Sequence, residues 1–183
     1  MKAVDERAEE IIRRVADVEY PSVAEIGVFD GRLSRRLLYR LNLHLLMVDP
    51  WGTVESSDDA KYESGYSVST PEDWAKVMSD AMKNVAWAAD RVRMYQGTSE
   101  DAAVEFADDR FDLVFLDGDH GYEAVSKDIR AWWPKIAPGG WLGGHDYRSD
   151  MGFGVVEAVE EWADEEIVDI HLGKNHTWWA RKC

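Results

Sequence analysis

Short apolar runs alternate with helix-periodic stretches along nearly the whole chain, and this alternation narrows the possible folds more than any other feature. Val23 to Gly27, Leu43 to Asp49, Val92 to Gln96, Phe111 to Asp117 and Trp141 to Gly144 have strand length and little or no polar alternation. Between them, apolar residues recur at helical spacing: Val4, Ala8, Ile11, Ile12 and Val15; Leu33, Leu37, Leu38 and Leu41; Trp74, Val77, Met78, Ala81, Met82 and Val85; Tyr122, Val125 and Ile129; Val155, Val156, Val159 and Ala163. A strand that is apolar throughout has to be covered on both faces, and intervening helices supply that cover, so the pattern predicts an α/β fold with a doubly wound, mostly parallel sheet. Local signals punctuate it. Tyr20-Pro21 stops the first helix, Thr70-Pro71 opens the third, Ser99 is placed to cap a short helix through Phe106, and Gly139-Gly140 turns the chain into the strand at Trp141. Two closing strands, near Ile167 to Leu172 and Thr177 to Ala180, complete the sheet as an antiparallel hairpin.

No repeat, low-complexity tract or long linker divides residues 1–183, so one domain is expected. The net charge of −15 opposes a polyanionic partner, which argues against nucleic acid. The basic stretch Arg32, Arg35, Arg36 and Arg40 reads as a solvated helix face. With one cysteine, Cys183, no internal disulfide can form, and neither a signal-peptide pattern nor an 18-residue apolar run is present, so a cytoplasmic protein that does not enter membranes is expected.

In a sheet of this kind, ligands bind beyond the carboxyl ends of the strands, where the strand order reverses. The chemically interesting residues fall at those ends. Glu25-Ile26-Gly27-Val28-Phe29-Asp30-Gly31 joins the first strand to a helix, and Asp49 ends the second strand 22 positions after Gly27. Glycines allow close backbone approach to a ligand, and an acid at that remove is placed to accept from ribose hydroxyls. The glycine spacing is not the G-x-G-x-x-G of pyrophosphate loops, which counts against a nicotinamide oxidoreductase, and the Glu25 carboxylate favours a cationic ligand over phosphate.

On these residues the chain resembles the class I S-adenosylmethionine-dependent methyltransferases, and most of all the small metal-dependent O-methyltransferases of the catechol and caffeoyl-coenzyme A type with their bacterial relatives that methylate sugars or antibiotics. Glu25, Gly27 and Gly31 match the first motif, Asp49 the ribose-binding acid, and Gly97-Thr98-Ser99-Glu100-Asp101 the adenine-side loop. Phe111 through Asp117-Gly118-Asp119-His120 matches the fourth strand and its catalytic turn, and Pro138-Gly139-Gly140 through His145-Asp146 the fifth. The resemblance implies a Rossmann-like methyltransferase sheet, S-adenosylmethionine as cofactor held by Glu25, Gly27, Gly31, Asp49, Gly97, Ser99, Glu100 and Asp117, and methyl transfer to a hydroxylated small molecule. Asp117 and Asp146, on adjacent strand ends, can offer oxygens to Mg²⁺ or Mn²⁺. His120 stands where those enzymes carry a catalytic lysine, and an imidazole can serve as the base there. Tyr147 follows Asp146 where the catechol-type pattern has asparagine, so the third metal ligand is open; His145 either replaces it or acts as a base.

The polar segment 51–70 reads as a lid, and its Trp51, Tyr62 and Tyr66, with Tyr147 and Phe153, are candidates to line an acceptor pocket. Trp74, Trp87, Trp132, Trp141 and Trp162 are expected to pack in or against the core. His44, His171 and His176 are expected to be surface or packing residues. A non-catalytic S-adenosylmethionine-binding module is the alternative from a different class, and a homo-oligomer stays open.

Overall fold

The computed structural model describes residues 2–53, 68 and 70–183. Its strands are β1 (Ser22–Ile26), β2 (His44–Asp49), β3 (Val92–Gln96), β4 (Phe111–Leu116), β5 (Ile136–Gly144), β6 (His171–Leu172) and β7 (Trp178–Arg181). They form one sheet in the order β3-β2-β1-β4-β5-β7-β6, parallel from β3 through β5, with β7 antiparallel to both its neighbours. The helices are α1 (Lys2–Arg14), α2 (Arg32–Arg40), α3 (Pro71–Val85), α4 (Ser99–Val104), α5 (Tyr122–Trp132) and α6 (Val155–Glu166).

The uninterrupted apolar strands are explained by two cores, one on each face. Ala24, Ile26, Leu46, Val48, Val114 and Leu116 pack against α4, α5 and α6 through Ala102, Ala103, Val125, Ile129, Val159 and Trp162. The alternate residues Val23, Leu45, Met47, Leu113 and Phe115 pack against α1, α2 and α3 through Ala8, Ile11, Leu37, Val77 and Ala81. Chain order reverses between β1 and β4, and that is where a crevice opens at the carboxyl ends.

Local chemistry sets the boundaries. Thr70 caps α3 reciprocally: its hydroxyl accepts from Asp73 N and the Asp73 carboxylate accepts from Thr70 N, each at 3.1 Å, with Pro71 at the first helical position. The cap of α4 is Thr98, whose Oγ1 accepts from Asp101 N at 3.1 Å; Ser99, expected to cap, is already the first helical residue. Gly139-Gly140 does not precede β5 but lies inside it, at a register shift opposite Phe111 and Leu113, where a Cβ on Gly140 would stand 2.8 Å from the Asp112 carbonyl oxygen. The first closing strand shrinks to two residues, because Ile167 takes a left-handed conformation (φ 56°) at the end of α6 and turns the chain there. Trp87, expected to pack inward, is exposed and stacks on Tyr39 at 4.4 Å between ring centres. No described helix is long and apolar enough to cross a membrane.

Candidate functional site

β1 and β4 meet the crevice as a locked pair. Asp117 N donates to Ile26 O at 2.7 Å, Gly27 N donates to Val48 O at 2.9 Å, and a Cβ on Gly27 would lie 2.2 Å from the Asp117 carbonyl oxygen. With φ at +85°, Gly27 is required twice over, by conformation and by space. The loop then passes through a second positive φ at Phe29 (53°) and a third at Gly31 (74°). Asp49 holds it there. Asp49 Oδ2 accepts from Val28 N and Phe29 N, both at 2.9 Å, and Oδ1 accepts from Trp51 N at 2.7 Å. Of the roughly four acceptor positions of a carboxylate, one is left for a ligand. Burial raises the Asp49 carboxyl above its ordinary value, against the three amides that favour its charge. Trp51 Nε1 donates to Phe29 O at 2.9 Å, and the ring is 3% exposed, so this residue braces the loop from the core rather than lining an acceptor pocket.

Glu25, expected to face a cationic ligand, lies beneath the loop. It is 1% exposed, and its Oε2 accepts from Ser34 Oγ at 2.5 Å, below the loop and on the α2 side. Burial pushes its carboxyl up to about 8, opposed by the Ser34 hydrogen bond, so at neutral pH it is mostly an uncharged acid and offers no negative charge to a cation. Ser99 also turns inward: its hydroxyl accepts from Trp132 Nε1 at 2.8 Å and bonds to Asp128. Asp128, 8% exposed, is raised by burial to about 7. Gly97 N donates to Asp49 O at 3.2 Å, tying the β3 turn to the β2 end, and Glu100 is exposed.

Across the crevice, Asp117, His120 and Asp146 bring one ligating atom each within 4.8 Å of one another, all three partly buried. His120 Nε2 is 2.7 Å from Asp146 Oδ2, and Phe153 stacks on the His120 ring at 4.6 Å. Asp146 itself sits at φ 55°. Burial works against its charge, but hydrogen bonds from His120 and His145 hold the Asp146 carboxyl well below the usual carboxylate range. His145 lies beneath this cluster, 8% exposed, with Nδ1 at 2.8 Å from Asp146 Oδ2 and 3.4 Å from Asp117 Oδ1, and with Asn175 Nδ2 3.2 Å from its Nε2. Burial opposes its protonation, but hydrogen bonds to Asp117 and Asp146 outweigh it and raise His145 to about 9. His145 thus lies under the three-residue cluster, hydrogen-bonded to both aspartates, rather than within it. His120 takes the third place beside the aspartates. Tyr147 points to Glu160 (2.9 Å), Tyr62 and Tyr66 lie outside the described residues, and so does most of the segment expected as a lid.

Three residues at the site carry no motif. Asp128 falls in the apolar stripe Val125, Ile129, Trp132, Arg7 in the stripe Val4, Ala8, Ile11, and an ionisable residue on a buried helix face is the one signal that could have revealed either. Asn175 lies in the turn before β7 and carries no such signal.

Residues 24–147 match a family described as a methyltransferase domain, a span that runs from β1 past Asp146 and takes in both sides of the crevice. The chain belongs to this family. It is accordingly an S-adenosylmethionine-dependent methyltransferase, of the class I fold. Among solved structures it is similar to the O-methyltransferase NovP (17% identity, TM-score 0.71, covering 97% of this chain and 79% of that one). It is also similar to CalS11, a TDP-rhamnose 3'-O-methyltransferase of calicheamicin biosynthesis (14%, 0.66, 96% and 76%). A third likeness is to the precorrin 8W decarboxylase of Methanobacterium thermoautotrophicum (14%, 0.63, 97% and 89%). At these identities the likeness speaks for the fold, which hosts more than one chemistry. No curated protein matches the chain in sequence.

Proposed function

We propose that this methyltransferase is an O-methyltransferase that acts on a hydroxyl of a small molecule, such as a sugar, a phenol or a natural product, with a divalent ion, Mg²⁺ or Mn²⁺, at its acidic cluster. The observation that carries the reading is the convergence of Asp117, His120 and Asp146 beside the Gly27 to Gly31 loop. The methyl donor would lie across that loop. Its ribose would reach the remaining acceptor position of Asp49, its adenine the turn from Gly97 to Glu100, and its sulfonium end Asp117.

Two carboxylates and one imidazole within 4.8 Å suit a hard divalent ion, and the imidazole favours Mn²⁺ over Mg²⁺. When bound, such an ion lowers the pKa of an acceptor hydroxyl and fixes its position. The residues of the chain divide the remaining work. Asp117 and Asp146 would hold the ion, and Phe153 fixes the plane of His120 by stacking. His145, hydrogen-bonded to both aspartates, would when protonated offset part of the negative charge that they concentrate.

A second reading is favoured by the 2.7 Å contact between Asp146 Oδ2 and His120 Nε2. In it Asp146 orients and supports His120, and the other ring nitrogen, Nδ1, takes the hydroxyl proton as the methyl group arrives in line. NovP and CalS11 are both O-methyltransferases by name, which supports an oxygen acceptor. The net charge of −15 supports a small-molecule substrate over a nucleic acid.

The test is a screen of hydroxylated acceptors with S-adenosylmethionine, reading S-adenosylhomocysteine release with Mg²⁺, with Mn²⁺ and with EDTA. Release with a hydroxyl acceptor that EDTA abolishes supports the metal-assisted reading. Full release in EDTA removes the metal and leaves His120 as base, and release with amines alone removes the oxygen acceptor.

A further inference from the structure

One positive charge at the crevice comes from outside the strand-end loops. Arg7 of α1 places Nη1 2.5 Å from Asp117 Oδ2, with the two side chains 16% and 14% exposed. Its Nε is buried and has no hydrogen-bond partner among the described residues, so the guanidinium is held by the Asp117 contact alone and gives up the hydration of one N–H to make it. The helix that carries it is well anchored elsewhere. Ala8 and Ile11 are buried, Arg36 pairs with Asp5, Arg40 Nη1 is 2.9 Å from Glu9 Oε1, and Asn175 Nδ2 donates to Ala3 O at 3.3 Å. Arg7 is thus presented to Asp117 by a fixed platform while its own side chain has one strong tether.

Arg7 Nη1 takes up an acceptor position of Asp117 Oδ2 and sets a positive charge directly beside the Asp117, His120 and Asp146 cluster, where it repels an entering divalent cation. We infer that Arg7 is the resident counter-ion of Asp117 and that a divalent cation entering the Asp117, His120 and Asp146 cluster displaces it, so that Arg7 sets how tightly this site binds metal. The inference rests on the metal-assisted reading above. In the metal-free state Arg7 keeps two neighbouring carboxylates from repelling one another; in the loaded state its guanidinium swings from Asp117 and becomes accessible beside the acceptor.

Manganese binding in the absence of methyl donor and acceptor tests this directly. Titration of Mn²⁺ followed by electron paramagnetic resonance should show Arg7→Gln binding at least about ten-fold tighter than the unaltered chain, the scale expected when a cation a few ångströms away is removed from a partly buried site. Arg7→Lys, which keeps the charge, should stay near the unaltered affinity. A wild-type measurement covers the case in which Arg7→Gln does not fold: phenylglyoxal labelling mapped by peptide mass spectrometry should show Arg7 more reactive with Mn²⁺ than without it. Equal or weaker Mn²⁺ affinity in Arg7→Gln, or Arg7 labelling that Mn²⁺ leaves unchanged or lowers, overturns the inference alone. Absence of Mn²⁺ binding in both proteins overturns it together with the metal-assisted reading.

Discussion

Replacing Glu25 by Gln isolates the cost of a buried acid under the cofactor loop. The wild-type carboxyl titrates at about 8 in the folded chain, because its 1% exposure removes water that would solvate the charge. In an unfolded chain it titrates near the ordinary glutamate value of 4.5. Between those values the folded state holds a proton that the unfolded state has released, so folding stability falls as pH rises from about 4.5 to about 8, and the loss is complete above that. At 1.36 kcal/mol per unit the full loss is about 5 kcal/mol, and at pH 7 roughly 3 kcal/mol of it is already present. Gln cannot ionise, fills nearly the same volume and can still accept from Ser34 Oγ. The stability of Glu25→Gln relative to wild type should therefore be near zero at pH 4.5 and grow to several kcal/mol at pH 9, read from urea unfolding midpoints at matched m-values. A difference that does not change with pH, or a wild type that gains on the variant as pH rises, would refute the account of Glu25 as a neutral structural acid.

Two further substitutions probe the same loop. Gly27→Ala drives a Cβ into the Asp117 carbonyl at φ +85°, and should cost about 3 to 5 kcal/mol in urea unfolding, from left-handed strain plus overpacking. A cost below about 1 kcal/mol would mean that the β1 and β4 ends are free to part. Asp49→Asn should lower both thermal stability and S-adenosylmethionine affinity, because an amide cannot accept from three backbone N–H groups with both of its ends. Calorimetry showing weaker binding at unchanged melting temperature would make Asp49 a ribose contact only.

The fold was legible because it depends on patterns that need no neighbours to interpret. Apolar strands such as Phe111 to Leu116 and stripes such as Val77, Ala81, Val85 report burial on both faces, and Thr70-Pro71 reports a helix start through local hydrogen bonds alone. The misses have local causes of equal simplicity. Thr98 and Ser99 are both good caps, and only backbone geometry chooses between them. Gly139-Gly140 serves a turn or a bulge equally well, and the choice depends on how β5 meets β4.

At the site, sequence order marks which residues reach the carboxyl edge of the sheet but not which way their side chains face. Glu25, Ser99 and Trp51 all lie at that edge and all turn inward, because each finds a hydrogen-bond partner below the surface: Ser34, Trp132 and the Phe29 carbonyl. His120 and His145 are indistinguishable in type. Their difference arises from depth, since His145 is enclosed by both aspartates while His120 faces the crevice with one. Arg7 comes from more than a hundred residues away in the chain, and no spacing rule could connect it to Asp117.

The central claim is that the carboxyl edge between β1 and β4 is where the methyl donor binds. A crystal structure grown with saturating S-adenosylhomocysteine tests it most directly. The nucleoside is expected across Gly27 to Gly31, with a ribose hydroxyl on Asp49 and the sulfur turned toward Asp117 and His120; a nucleoside bound at another face, or an empty crevice at saturation, would contradict the account.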